Sequence, residues 1–337
     1  MTGEDRAATI AAAERWFEQQ GLPYFVPSNA DRVRSALSWN RLVPVLVTAV
    51  LVGAASGVAA GIASSDVSNG VLVAAVVLGL VVLVYGLASL HLQPIMRWAA
   101  GRTFGSLGWL FPLITRALPL LLLFITFLFI NTEVWQVSSA LDRGLLWLTV
   151  LLFAGVAVVF LLVRLPEEVR QVSAEAEGER LVSICEHTPV ANAAREVTGE
   201  AAEVKLLPLQ QANLVLVLLF SQALQVLLLA FSVFLFFIVF GKVAISDSVI
   251  RAWLGKQDSQ GNAIPTHLPS LDWLPISNEL FQVSVFLAAF SGLYFTVYAV
   301  TDQTYRDQFF TSIAKELERA IGVQTVYRAL TRTHHPD

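Results

Sequence analysis

The sequence predicts an all-α fold: a polytopic membrane helix bundle of six transmembrane helices with both termini cytosolic, plus short cytosolic amphipathic helices. Three observations carry that expectation. The first is composition: of 337 residues, 55% are hydrophobic and 14% charged, with a mean hydropathy of +0.64. A soluble domain carries about 25% charged residues, so this chain is built for a bilayer as solvent. The second is the recurrence of apolar runs near the ~20 residues that a helix needs to cross ~30 Å of hydrocarbon. The third is basic charge: with the termini and every second connection placed together, eighteen of the twenty-two Lys and Arg residues fall on one side. Positive charge accumulates on the cytosolic side.

In chain order, residues 1–41 read as cytosolic N-terminal helices. Residues 4–20 place Ile10, Ala13, Trp16 and Phe17 on one face, and Gly21 and Pro23 end the pattern. Ser28 and Asp31 offer a cap for a second helix, and Trp39 marks the membrane boundary. Met1–Gln20 has no apolar core of the kind a cleavable signal peptide needs. The first membrane helix is therefore expected to act as the insertion signal.

Residues 42–163 are assigned to membrane helices one to four. Segment one, Leu42–Ala63, carries Gly53, Gly57 and Gly61 at a spacing of four, which puts small residues on one face and admits a neighbouring backbone. That face offers a contact for helix packing within the chain, for a second copy, or for another membrane protein. Segment two is Val71–Leu92. The glycine-, proline- and arginine-containing stretch 93–115 reads as an interfacial loop, with a re-entrant half-helix over 103–115 as the alternative. Segment three runs from about Arg116 to Ala140 and segment four from Gly144 to Val163, closed by Arg164.

Residues 164–209 form a cytosolic helical insertion, nine of whose residues are glutamates. Residues 210–300 hold membrane helices five and six, with an irregular external loop at 241–278 containing three prolines. Residues 301–337 form a cytosolic amphipathic C-terminal helix and a polar tail.

Chemistry is expected in segment three. Between Arg116 and Glu133 lie sixteen uncharged residues, which span ~24 Å and fall short of the hydrocarbon thickness. Glu133 therefore sits close to hydrocarbon, a costly position that marks many proton and cation paths. Asn131 and Thr132 stand ready to share its hydrogen bonds, and Trp135 is read as a headgroup anchor. Gln222 and Gln225, with Ser221 and Ser232, supply a polar face in segment five. Tyr294 and Tyr298, with Ser291 and Thr301, supply one in segment six. The candidate polar path therefore comprises Glu133, Asn131, Gln222, Gln225, Tyr294 and Tyr298.

Other classes find less support. The chain has no HExxH, phosphate-binding GxxxxGK[ST], GxSxG or GxGxxG signature, and its five histidines scatter along the sequence. A single cysteine, Cys185, excludes an internal disulfide and a cysteine-based zinc site. No catalytic residue, metal site or cofactor is expected. With a net charge of −4 and no basic stripe, nucleic acid is not an expected partner, whereas the lipid bilayer is. The location expected is a bacterial-type plasma (inner) membrane. Three functions fit: a transporter or channel for a small solute or ion, a membrane-anchored scaffold or signalling protein acting through its cytosolic helices, and a membrane-embedded enzyme. Transport leads, on the polar residues within the spans. Convergence of those residues on a hydrated cavity, or their dispersal into packed seams, separates the first two.

Overall fold

Alanine, leucine and valine dominate the long apolar runs, and in the computed structural model those runs are helices. The structure describes residues 3–105, 123–175, 181–197, 206–254, 276–301 and 303–332. Among these residues the protein is all-helical, without a strand. In order come α1 (Gly3–Gln19), a 3-10 turn (Pro23–Phe25), α2 (Pro27–Ala36), α3 (Trp39–Ser64), α4 (Val67–Ser89) and α5 (Leu92–Gly105). Then follow α6 (residues 123–129), α7 (Thr132–Ala140), α8 (Arg143–Glu175), α9 (Leu181–Ile184) and α10 (Ala191–Val197). The chain continues with α11 (Pro208–Ala244), α12 (Asp247–Leu254), α13 (Asn278–Thr301) and α14 (Gln303–Arg332).

Among the described residues five helices are long and apolar enough to cross a membrane: α3, α4, α8, α11 and α13. The sixth expected span begins outside the described residues, and its described part is not one helix. α6 ends before Ile130, and α7 starts at Thr132 after Asn131 caps it. The Asn131 side-chain oxygen accepts the Glu133 N–H at 2.8 Å, which satisfies one of the donors exposed at a helix start. The asparagine that resembled part of a polar path is the punctuation that breaks the segment.

Four other expectations change. The loop expected to start at residue 93 is helical over Leu92–Gly105, and the stretch 106–115 lies outside the described residues. α8 runs past Arg164 and through Pro166 to Glu175. The expected external loop contains α12, and α11 extends to Ala244 before it. The second helix is not capped by Ser28 or Asp31: its first residue is Pro27, whose fixed φ suits that position.

α3 and α4 form a tight hairpin. Ser65, in the left-handed conformation at φ 52°, closes α3, and the Asp66 carboxylate accepts the Ser68 N–H at 2.8 Å to open α4. A Cβ on Gly57 would lie 2.7 Å from the Gly70 carbonyl oxygen and 2.8 Å from the Ala74 Cβ. The contact is thus within the chain, at a separation only glycine permits. The opposite faces of both helices expose Leu51, Val58, Ile62 and Val84, an apolar surface consistent with a lipid bilayer. α13 is the opposite case: 61% of its apolar window is buried, against 17% or less for the other four helices. It is the centre of the bundle.

Two cores result. One gathers Phe17, Phe25, Ile95, Leu165, Cys185, Val323 and Val326 from α1, the 3-10 turn, α5, α8, α9 and its following turn, and α14. The other gathers Phe129, Trp135, Ile250, Leu280 and Val283. Among the described residues only α11 feeds both deeply, with Leu214, Val217 and Leu218 in the first and Leu229, Val233 and Phe237 in the second. Trp135 is fully buried, its indole N–H donating to the Phe129 carbonyl at 2.6 Å. It is a core residue and not a headgroup anchor.

Candidate functional site

The six residues expected to share a path fall into separate surroundings. Asn131 and Glu133 belong to the end of the bundle where Phe129 stacks on Phe237 at 4.6 Å. Glu133 is exposed there, in the first turn of α7. Gln225 and Gln222 precede Phe237 by twelve and fifteen residues on α11, which puts them ~18 and ~22 Å away along the helix axis. Tyr294 is 39% exposed and stacks on Phe124 at 5.9 Å and on Tyr298 at 6.1 Å, a ladder of rings along the outside of α13. Gly292 faces Val226 and Ala230, so the two tyrosines start at the depth of Gln225. Depth is shared; Gln222 is buried while Tyr294 faces outward.

Two buried hydroxyls of α13 are satisfied locally. Ser291 donates to the Leu287 carbonyl at 2.6 Å and Thr296 to the Gly292 carbonyl at 2.8 Å. Ser284 of α13 and Ser221 of α11 depart from that habit, their hydroxyls buried without a partner among the described residues. On α11 the departure is clustered. The Ser221 hydroxyl, Gln222 Oε1 and Gln225 Oε1 are buried with no hydrogen-bond partner among the described residues. Buried oxygens without partners are uncommon in proteins, and three occur here within about one turn of α11.

Concave surface lies elsewhere. A cavity of about 450 Å³ opens between α8, α11 and α13, lined by Phe153, Ala157, Phe231, Phe281 and Gly292 among other apolar side chains. Among its described lining side chains only the Trp147 indole N–H is polar. A second cavity, about 150 Å³, lies in the core built around the terminal helices and has mixed chemistry. Trp16 comes from α1, Gln20 from the turn after it, Trp98 from α5, His187 and Thr188 from the turn after α9, and Glu316 and Arg319 from α14. Val217 of α11 contributes to its apolar part with Leu317 and Ala320.

Local structure holds several of these groups. The Trp98 indole N–H donates to Gln20 Oε1 at 3.0 Å, fixing that ring. Gly21, at φ 70°, turns the chain directly over Trp98, where a Cβ would lie 2.9 Å from the Trp98 Cβ. Asn213, fully buried on α11, holds the far side of that turn: its amide donates to the Gly21 carbonyl at 3.0 Å and its oxygen accepts the Tyr24 N–H at 2.9 Å. His187 has a left-handed backbone at φ 64°, uncommon for a residue with a side chain. The Thr188 hydroxyl donates to the Cys185 carbonyl at 2.6 Å. Arg102 pairs with Glu316 at 2.9 Å across the α5–α14 boundary.

The surroundings are strongly desolvating. Burial pushes the Cys185 thiol up to about 11 and the Tyr24 phenol up to about 12. Tyr327 is held above the usual phenol range by burial first and then by the Glu14 carboxylate, to which its hydroxyl donates at 2.7 Å. That bond, the Arg6 guanidinium on the Leu330 carbonyl, and Arg328 on Gln210 Oε1 at 3.0 Å fasten α14 to α1 and to the start of α11. Among the described residues no group of three His, Cys, Asp or Glu side chains is disposed to hold a metal ion.

Sequence reasoning passed over this cavity because its polar residues are 303 positions apart at the extremes, from Trp16 to Arg319. Each sits on an ordinary amphipathic face. The one available signal was Trp16, a large aromatic on a helix that had no partner in the sequence. Compared with protein-family models, curated proteins and solved structures, the chain matches none.

Proposed function

We propose that the protein is a multi-pass plasma (inner) membrane protein with both termini in the cytosol, acting as a membrane-anchored signalling or scaffold protein. Its working part on this reading is the cytosolic body made by α1, α2, α5, α9, α10, α14 and the first turns of α11. The observation that carries the proposal is the composition of the 150 Å³ cavity: four segments remote in sequence meet there, together with α11, which continues unbroken into the apolar bundle. An occupant of that cavity touches the N-terminal helix, the C-terminal helix and a membrane helix at once. The biased distribution of Lys and Arg supports the orientation.

A second reading, transport of a small solute or ion, rests on the unpartnered oxygens of Ser221, Gln222 and Gln225. Such atoms in an apolar bundle are a place for water or for a polar substrate. The dispersal of Asn131 and Glu133 away from them favours the first reading.

Flux assays on the purified chain in liposomes separate the two. Under the signalling reading, proton, sodium, potassium, chloride and small organic solute fluxes equal those of empty liposomes. Flux that Gln222→Leu or Gln225→Leu abolishes would establish transport in its place. Flux lost on Glu133→Gln would restore the carboxylate to a path that the packing does not favour.

A further inference from the structure

We infer that the 150 Å³ cavity takes a small organic anion with a flat apolar body, a ligand class that deepens the signalling reading and rests on it. The charges around the cavity are unequal. Among the described residues its one carboxylate, Glu316, is already engaged by Arg102 at 2.9 Å. Arg319 lines the same cavity, is exposed, and makes no ion pair among the described residues. His187 stands beside it with no hydrogen bond among the described residues, carried on a left-handed turn. A cation entering here meets an arginine and finds its carboxylate neutralised. An anion meets an unpaired guanidinium, whose fork of donors suits a carboxylate or phosphate.

The flat body follows from the two indoles. Trp98 is fixed by Gln20, which consumes its only donor and leaves its ring as an apolar surface. Trp16, on the facing helix, lines the cavity and makes no hydrogen bond through its indole N–H among the described residues. The lining therefore offers two indoles, one of them with its donor unused among the described residues, beside the Arg319 guanidinium and the His187 ring. Inorganic phosphate uses only the charged part of that set. An aromatic or heteroaromatic acid uses all of it.

The test uses the full chain in nanodiscs of phosphatidylcholine, with phenyl phosphate as probe. Thermal shift and tryptophan fluorescence are the readouts. Phenyl phosphate is expected to raise Tm and change the fluorescence, with inorganic phosphate binding about tenfold or more weakly. Arg319→Gln, at an exposed position, should keep the ligand-free Tm and weaken phenyl phosphate by about tenfold. Trp98→Leu should remove the preference for phenyl phosphate over inorganic phosphate. Equal affinity for the two anions would overturn the flat-body assignment. Binding of phenyltrimethylammonium in place of phenyl phosphate would overturn the anion assignment while leaving the cavity as a ligand site, so the signalling reading stands. An Arg319-dependent shift produced by phosphatidylglycerol alone would assign the guanidinium to a lipid headgroup and overturn the soluble ligand. Binding of neither probe, together with solute flux in liposomes, would remove both the ligand class and the reading beneath it.

Discussion

Asn213 shows how one buried amide organises a region. Its carboxamide joins α11 to the Gly21 turn through one donated and one accepted hydrogen bond, and it is fully buried. Asn213→Ala should leave a buried carbonyl and a buried N–H unsatisfied, lowering unfolding stability by roughly 1–3 kcal/mol. Chemical or thermal denaturation in detergent reads that loss; an unchanged transition would mean that the turn keeps itself. Cys185 gives a second residue-scale prediction. A thiol held up to about 11 carries far less thiolate at pH 8 than an unfolded cysteine near ~8.5. Iodoacetamide should label it on the order of a hundredfold faster after unfolding than before. The sign of the linkage follows. The unfolded chain gives up this proton first, so the stability from thiol burial is fully present below the unfolded value. It is lost as pH rises towards about 11.

The α3–α4 hairpin is where sequence and structure meet most closely at the scale of elements. Glycine every four residues is a backbone-approach pattern, and the approach occurs, with a hypothetical Gly57 Cβ at 2.7 Å from a carbonyl oxygen. Gly57→Leu should force the helices apart and cost roughly 1–3 kcal/mol or more, read as a lower Tm in detergent. The conservative Gly57→Ala already meets that oxygen and should destabilise in the same direction. Five apolar helices were legible because ~20 apolar residues state their own environment. The break at Asn131 was not, because Asn-Thr-Glu inside a leucine-rich run reads equally as a polar patch and as a cap followed by an acidic first turn. The helix at Leu92–Gly105 was hidden by Gly101, Gly105 and Pro94, of which the proline sits in the first turn, where it is tolerated. The mixed cavity was illegible for a different reason. Periodicity tells which face of a helix is buried, and nothing in it tells which other face arrives.

For the whole molecule, orientation is the testable matter. Reporter fusions after Asp337 and within residues 257–262 should give opposite signals if the termini are cytosolic. Equal signals would sink that topology. The two ends of the molecule differ in kind: one core is held by aromatic stacking such as Phe129 on Phe237 and Phe236 on Phe240, the other by hydrogen bonds that bind the first and last helices together. α11 is the member common to both, 37 residues without interruption. At ~1.5 Å per residue it is a rod of roughly 55 Å. A rod pivoting about its middle by only about 5° carries each tip sideways by roughly 2.4 Å, in opposite directions. Closely packed cores resist such displacement until they switch as units. Were α11 to move as such a rod, an adjustment around Val217 would appear at Phe237 as a displacement in the opposite direction.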